Sequence, residues 1–253
     1  MRVSHCIGGR VPGKAVNWFR FAGVMVAGAF LTAGVASAEF VAYTGQPNPQ
    51  SVPPLQAYGG SLGMDFTVNS AINVDSMGVY NAAGNGVITG TLQVAIFEQN
   101  PDSTWSEVTG TYASFNNASP GSPDLVNDGK YDLYKAIAPV LLDPGTYSIV
   151  AVGFSQQDPD GNTGYTDGVG AAETGGSLLT YTGSARFDAA QTGTLIFPTT
   201  VDGGPANRYD AGTFEFSAAT PEPASFILIG TGLALVAVVR LRRRTSALND
   251  GVI

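Results

Sequence analysis

Short apolar stretches alternate with clusters of glycine, asparagine, aspartate and proline between residues 39 and 219. Every second residue of Leu62–Val68 is apolar, and Ile72 and Val74 begin a similar segment that ends at Tyr80. A period of two places successive side chains on opposite faces of a β-strand, whereas a helix needs a period near 3.6. No stretch of the body has that helical period, so we predict strands, with helix confined to a turn or two.

Two longer segments predict strands, and the first of them predicts a strand in the interior of a sheet. Residues 87–98 are apolar on both faces, which is typical of a strand shielded from water on both sides. Residues 141–154 contain the turn sequence Asp-Pro-Gly at 143–145, followed by alternating side chains. Further strands are predicted at residues 40–43, 105–108, 131–137, 178–181, 194–197 and 212–216.

About ten short strands in a body of this length predict one all-β domain over residues 39–219. Antiparallel sheets must pair face to face to hide their apolar sides, which favours a single β-sandwich. We expect the jelly-roll type. The order of the strands does not follow from one sequence.

The first 38 residues have the layout of a secretory signal peptide. Residues 1–20 contain four basic side chains and no acid, residues 21–35 carry no charge, and Ala36 and Ala38 place small residues where signal peptidase reads. We predict a signal helix and cleavage after Ala38. A retained anchor is the alternative, but the apolar run of about 15 residues is shorter than the ~20 that a span needs.

The C-terminal residues predict a membrane segment. Pro221, Glu222 and Pro223 precede an apolar transmembrane helix at residues 224–239. Four arginines follow within residues 240–244, and the positive-inside rule keeps them in the cytoplasm. The sorting segment is therefore residues 220–244, residues 245–253 form a short cytoplasmic tail, and the body faces outward.

Pro221-Glu222-Pro223, the apolar run and Arg242, Arg243 and Arg244 together resemble the C-terminal sorting signal of PEP-CTERM proteins. The resemblance implies processing by an exosortase and passage through an inner-membrane intermediate to the surface or extracellular matrix of a Gram-negative bacterium. Segments 62–81 and 141–154 are similar to a β-domain of uncharacterised PEP-CTERM proteins, which brings no known active site. A plain single-span anchor is the alternative, and the nine residues after the arginines are more than family members commonly carry.

The body is strongly acidic. It contains 18 aspartates and glutamates against four basic residues, a formal charge of −14, and the other eight basic residues lie in the two terminal segments. Nucleic-acid binding needs a basic patch that displaces counterions, so we exclude a nucleic-acid partner. An acidic surface is typical of a solvated exterior protein.

The only histidine, His5, and the only cysteine, Cys6, both precede the predicted cleavage site. The processed body therefore has no Ser-His-Asp triad, no Cys-His pair and no imidazole or thiolate metal site. A carboxylate-only glycan hydrolase is still open, because it needs two acids across a cleft. Glu98, Glu107, Glu173 and Glu215 are available without any supporting motif, and we expect no enzyme and no cofactor.

Residues 158–167 are the one local cluster with ligand chemistry. Asp158, Asp160, Asn162 and Asp167 are oxygen-bearing side chains on a loop that contains glycine, as in calcium loops. The cluster departs from the EF-hand pattern, with Thr163 at the glycine position and Val169 at the glutamate position. Both an ordinary loop and a calcium site are compatible with these residues.

We predict a structural or adhesive, non-enzymatic protein of the cell surface or exopolysaccharide matrix, handled by signal peptidase and an exosortase-type enzyme. The alternative is a carbohydrate-binding module, in which exposed aromatic rings stack on sugars. The candidate rings are Tyr43, Tyr58, Trp105, Tyr112 and Tyr165, and the alternative role for each is to fill the core or cap its edge.

Overall fold

The computed structural model describes residues 38–45, 55–162, 170–172, 175–188 and 193–219. These residues form sixteen strands, and no described residue is helical. In chain order the strands are β1 (Glu39–Val41), β2 (Tyr43–Gly45), β3 (Leu55–Gln56), β4 (Leu62–Val68), β5 (Ile72–Tyr80), β6 (Thr91–Gln99), β7 (Trp105–Glu107), β8 (Ala113–Asn116), β9 (Asp132–Leu142), β10 (Gly145–Val152), β11 (Asp160–Asn162), β12 (Gly170–Ala172), β13 (Leu179–Phe187), β14 (Thr200–Asp202), β15 (Tyr209–Asp210) and β16 (Gly212–Ala218).

The first and last strands of the described chain are neighbours in one antiparallel sheet. This four-stranded sheet has the order β1-β16-β5-β9. Glu39 lies opposite Ser217, and Val41 lies opposite Glu215. The last strand, β16, is therefore enclosed between the first strand and β5, and the domain cannot form this sheet until its final residues are present.

A second, seven-stranded sheet has the order β14-β13-β4-β10-β6-β7, with β8 also paired to β6. Its centre is formed by β4, β10 and β6, in which Ile149 lies opposite both Met64 and Ile96. The described residues also form two small sheets, with the strand orders β15-β11-β3 and β12-β2.

The two larger sheets pack face to face around one apolar core. The rings of Phe66 in β4 and Phe214 in β16 are fully buried, and their centroids are 5.2 Å apart. Gly212 of β16 lies so close to the opposite sheet that an added Cβ would be 3.0 Å from Val94 and 3.1 Å from Ile149. The described domain is thus all-β and sandwich-like, because each sheet hides its apolar face against the other.

The strands predicted from a period of two are confirmed. Leu62–Val68 and Ile72–Tyr80 are β4 and β5, and residues 212–216 lie within β16. The predicted Asp-Pro-Gly turn connects β9 to β10. The strands predicted at 105–108, 131–137 and 178–181 correspond to β7, β9 and β13, and the last two continue well beyond the predicted segments. The segment 40–43 is divided at Ala42 between β1 and β2, which belong to different sheets.

The predicted strand at residues 194–197 is wrong. This segment belongs to an irregular loop, residues 193–199, that crosses the outer face of the seven-stranded sheet. The Ile196 N–H donates to the Ser61 hydroxyl over 3.3 Å. Gly63 of β4 makes room for the loop, since an added Cβ there would lie 3.1 Å from Pro198 Cγ. The loop's apolar residues cover a sheet instead of extending one.

The strand predicted from residue 87 begins only at Thr91. The preceding backbone is held by a side chain instead, because the N–H groups of Thr89 and Gly90 donate to the Asp158 carboxylate. The prediction that this strand is shielded on both sides is confirmed. Ile96 belongs to the main core, while Phe97 is buried under the covering loop.

The predicted signal helix and the predicted transmembrane helix at residues 224–239 lie outside the described residues, apart from Ala38. Within the described ranges no helix has the length and apolar character needed to span a bilayer.

Phe214→Ala is expected to destabilise the domain by about 3–5 kcal/mol, because it leaves a cavity where the two sheets meet. The matched control is Val201→Ala, which shortens a side chain that is 55% exposed and should change stability by less than about 0.5 kcal/mol. Urea unfolding followed by circular dichroism measures both variants. Equal midpoints for the two variants would contradict the described core.

Candidate functional site

The outer face of the seven-stranded sheet carries a second apolar cluster. Ala95, Phe97 and Val150 are buried there, although the main core lies on the other side of their strands. Leu195 and Phe197 of the covering loop pack against them. A sheet face that points away from the core is usually polar, so this cluster is a local feature that needs an explanation.

Trp105 is the outermost ring of this cluster. Its ring stacks on Phe197 with centroids 4.3 Å apart and an angle of 13° between the planes. Phe197 in turn contacts the buried ring of Phe97, with centroids 5.7 Å apart. Trp105 is only half-buried and begins β7 at the edge of the sheet. The three rings therefore run outward from a buried phenylalanine to a tryptophan that solvent reaches.

Arg186 lies beside the stacked rings. Its guanidinium carbon is 5.3 Å from the centroid of Trp105 and 5.3 Å from that of Phe197. Equal distances to two parallel rings place the guanidinium next to the gap between them and not over the outer face of either ring. The cation contributes an interaction with both π systems while the outer face of Trp105 is left uncovered by it.

The charge of Arg186 is balanced by Asp65. The Arg186 Nε–H donates to both carboxylate oxygens, at 2.9 and 2.7 Å, and the two side chains are only 17% and 6% exposed. Burial raises the pKa of Asp65, and the hydrogen bond and charge of Arg186 act in the opposite direction. The pair fixes the guanidinium in place and balances its positive charge.

A depression of about 430 Å³ opens at these rings. Its lining residues are Ser103, Thr104, Trp105, Arg186, Phe197 and Thr199. The turn before Trp105 is fixed, because the Thr104 N–H and hydroxyl both donate to the Asp102 carboxylate, at 3.0 and 2.6 Å. An aromatic ring surrounded by hydroxyls and a guanidinium is chemically suited to a polar ligand with a flat apolar face.

Of the four predicted sugar-stacking rings that the structure describes, only Trp105 lines this depression. Tyr43 is 1% exposed, and its hydroxyl donates to the Asn207 carbonyl over 2.9 Å, so the sugar-binding role for Tyr43 is wrong. The Tyr58 hydroxyl donates to the Asp188 carbonyl. Tyr112 is 46% exposed and lies elsewhere, and Tyr165 is outside the described residues.

Sequence reasoning missed Phe197 and Arg186 as members of the site. They lie in the loop and in β13, far along the chain from Trp105. No local motif connects these positions, because only the order β13-β4-β10-β6-β7 and the path of the loop bring them together.

The acidic residues of the predicted calcium loop have separate neighbours. Asp158 accepts hydrogen bonds from the backbone of Thr89 and Gly90, the latter at 2.7 Å. One oxygen of Asp160 accepts the Tyr58 N–H over 3.3 Å. The Asn162 amide donates to Gln56 at 2.6 Å and accepts from Arg208 at 2.9 Å.

Those contacts hold loops and strands together. Asp167 lies outside the described residues, and among the residues described no three histidine, cysteine or acidic side chains are arranged to hold a metal ion. A calcium site at this loop remains a prediction.

The structure does not bring together those candidate catalytic glutamates that it describes. Glu98 pairs with Ser106 and Glu107 with Phe97 across the same two strands, so their side chains point to opposite faces. Glu215 is in the other sheet, and burial raises its pKa. Glu173 lies outside the described residues.

The predicted processing sites flank a single strand pair. Ala38 is exposed and directly precedes β1, whose partner β16 ends at Ala218. The Ala219 N–H donates to the Ala71 carbonyl over 3.0 Å, so the fold extends to residue 219. Ala36, Pro221, Glu222, Pro223 and Arg242 to Arg244 lie outside the described residues.

Residues 219–244 match the family model of the PEP-CTERM protein-sorting motif. The match contains Pro221-Glu222-Pro223 and the arginines at 242–244, so the resemblance inferred from these residues is confirmed. A motif of this kind implies export and sorting to the cell surface in Gram-negative bacteria. Comparison with curated proteins gives no match to the chain.

Asp160→Asn is expected to make stability less dependent on pH. Burial raises the pKa of Asp160 well above its usual value, so the folded domain holds a proton that the unfolded chain releases above about pH 4. The free energy of unfolding contributed by this group therefore falls as the pH rises from about 4 through the folded pKa. Asp160→Asn should lack this decrease in the free energy of unfolding. Asp143→Asn, a substitution at an exposed position, should retain the decrease.

Urea unfolding at pH 4.5 and pH 7.5 measures the effect. The change in the free energy of unfolding between the two pH values should be smaller for Asp160→Asn than for the wild-type protein. The variant should be more stable than the wild type only at pH 7.5. A gain of the same size at both pH values would show that Asp160 is not the proton-binding group.

Proposed function

We propose that this chain is exported, processed at both ends, and retained at the cell surface or in the exopolysaccharide matrix as a non-enzymatic structural or adhesive module. The observation that carries the proposal is the PEP-CTERM sorting motif at residues 219–244, directly after the last strand of the domain. The partners are signal peptidase and an exosortase-type enzyme, and the inner membrane holds the intermediate.

Signal peptidase would remove residues 1–38 without damage to the fold. The first strand, β1, begins at Glu39, immediately after the proposed scissile bond, and Ala38 is exposed. Cleavage at this position leaves every described strand intact. The coincidence of the two boundaries supports the division between a signal peptide and a domain at residues 39–219.

The sorting motif would keep the domain close to the membrane. Glu222 is four residue steps beyond Ala218, the end of β16, a reach of at most about 14 Å for an extended chain. The apolar helix at 224–239 then enters the inner membrane, with the arginines in the cytoplasm. The exosortase must therefore act beside the folded sandwich or before β16 pairs with β1.

The absence of enzymatic activity is supported by how the described acids are used. Asp158 binds the backbone of residues 89–90, Asp65 binds Arg186, and Asp202 binds Arg208 at 2.8 Å. Each of these carboxylates stabilises the fold. A hydrolase would need two acids facing one cleft, and Glu98 and Glu107 point to opposite faces.

We assign the sandwich to the jelly-roll type. Eight strands, numbered along the chain, are β1, β4, β5, β6, β8, β9, β10 and β16. In these numbers the sheets have the orders 1-8-3-6 and 2-7-4-5, which is the strand order of a jelly roll. The remaining strands of the larger sheet, β7, β13 and β14, extend its edges.

The second candidate function is carbohydrate binding. The observation that favours it is the depression at Trp105, where a half-buried ring lies among hydroxyls and a charge-balanced guanidinium. Binding to exopolysaccharide would make the module adhesive, so the two candidate functions are compatible.

Replacement of Pro221, Glu222 and Pro223 by alanine is expected to stop processing of the tail, because alanines remove the fixed extended backbone at the proposed recognition element. Intact-mass analysis in the native host should give a wild-type chain that starts at Glu39 and ends near residue 222. The variant should start at Glu39, end at Ile253 and accumulate in the inner membrane. Val201→Ala is the control, and the same mature chain ends for all three proteins would contradict the proposal.

A further inference from the structure

We infer that the depression at Trp105 is a binding site for an uncharged polysaccharide chain, with the outer face of Trp105 as the stacking surface for a pyranose ring. The inference rests on the second candidate function above and specifies its site and its ligand class. It does not depend on how the two ends of the chain are processed.

The stacking face is fixed before any ligand arrives. Phe197 covers one face of Trp105 and is itself held by Phe97 at 5.7 Å. The Pro198 ring rests where Gly63 lacks a side chain, which fixes the backbone that carries Phe197. A ring held in this way loses little conformational freedom on binding, so stacking is not offset by an ordering cost.

Polar groups surround the ring at positions suited to sugar hydroxyls. Ser103 and Thr199 are exposed at the rim, and Ser103 has a left-handed backbone with φ of 65° in the turn anchored by Asp102. The Arg186 guanidinium lies beside the gap between the rings and is held by Asp65. Hydroxyl and guanidinium groups around one aromatic face match the alternation of apolar and hydroxyl-bearing faces on a pyranose.

Charge selects a neutral polymer over an acidic one. The guanidinium of Arg186 is paired with the carboxylate of Asp65, so the site offers no net positive charge. The body around it has a formal charge of −14. Such a field opposes the approach of polyuronates and sulfated glycans, whereas an uncharged chain is unaffected.

Trp105 provides its own reporter. The chain contains two tryptophans, Trp18 and Trp105, so Trp18→Phe leaves Trp105 as the only one. The full-length chain carrying Trp18→Phe, in detergent micelles, is titrated with cellohexaose, laminarihexaose, mannohexaose and an alginate oligosaccharide. We expect saturable changes in tryptophan fluorescence with at least one neutral hexasaccharide and none with alginate.

Affinity electrophoresis through gels containing the matching neutral polysaccharide tests the residue directly. Trp105→Ala should lower the affinity by at least about tenfold, and Trp105→Phe should give an intermediate value. Thr199→Lys, an exposed substitution that projects a long side chain into the depression, should abolish retardation without changing thermal unfolding. Tyr112→Ala removes an exposed ring elsewhere and should migrate as wild type.

The inference is overturned if no neutral hexasaccharide changes the fluorescence, if alginate changes it equally, or if Thr199→Lys is retarded as strongly as wild type. These outcomes are separate from those for sorting. A chain that is trimmed at both ends but binds no glycan overturns the site alone, and an unprocessed chain that binds a neutral glycan supports the site.

Discussion

The pairing of β16 with β1 and β5 is the interaction on which the rest of this domain depends. β16 contributes Phe214 and Phe216 to the centre of the core, and its own hydrogen-bond partners come from the start of the domain and from β5. Of the described strands it is the last to leave the ribosome or a translocon, and the sandwich cannot close without it. Such long-range pairing is formed late and slowly in folding, so a chain that crosses a membrane before folding suits this topology.

The same pair places both boundaries of the domain at one position. Glu39 and Ser217 are opposite each other, so the proposed cut after Ala38 and the proposed cut near Pro221-Glu222-Pro223 both fall just beyond the end of the same strand pair. Neither cut removes a residue of the core. An architecture with adjacent ends tolerates the loss of both terminal segments, because the hydrogen bonds that join those ends belong to the sheet itself.

The strand pattern was predictable where apolar residues alternate with glycine or polar residues along the chain, as in β4 and the start of β5. The pattern failed where apolar residues of a loop pack on the outer face of a sheet and do not form a strand. Residues 194–197 have strand-like composition because Leu195 and Phe197 cover the outer face of the larger sheet. Trp105 was predictable as one candidate ring among five, but Phe197 and Arg186 were not, since neither is near it in sequence. Asp158 was predicted as a possible ligand from its loop composition, and its contacts with Thr89 and Gly90 depend on packing that no local pattern encodes.

A disulfide between positions 39 and 217 tests the central strand pair most directly. In a chain carrying Cys6→Ser, Glu39→Cys and Ser217→Cys, the two introduced thiols are the only ones, and directly opposed residues of antiparallel strands are close enough to bridge. The account predicts an intramolecular disulfide in protein recovered from outside the cytoplasm, with thiols that react with maleimide only after reduction. Thiols that react as readily as those of a control pair at positions 39 and 184 would contradict it.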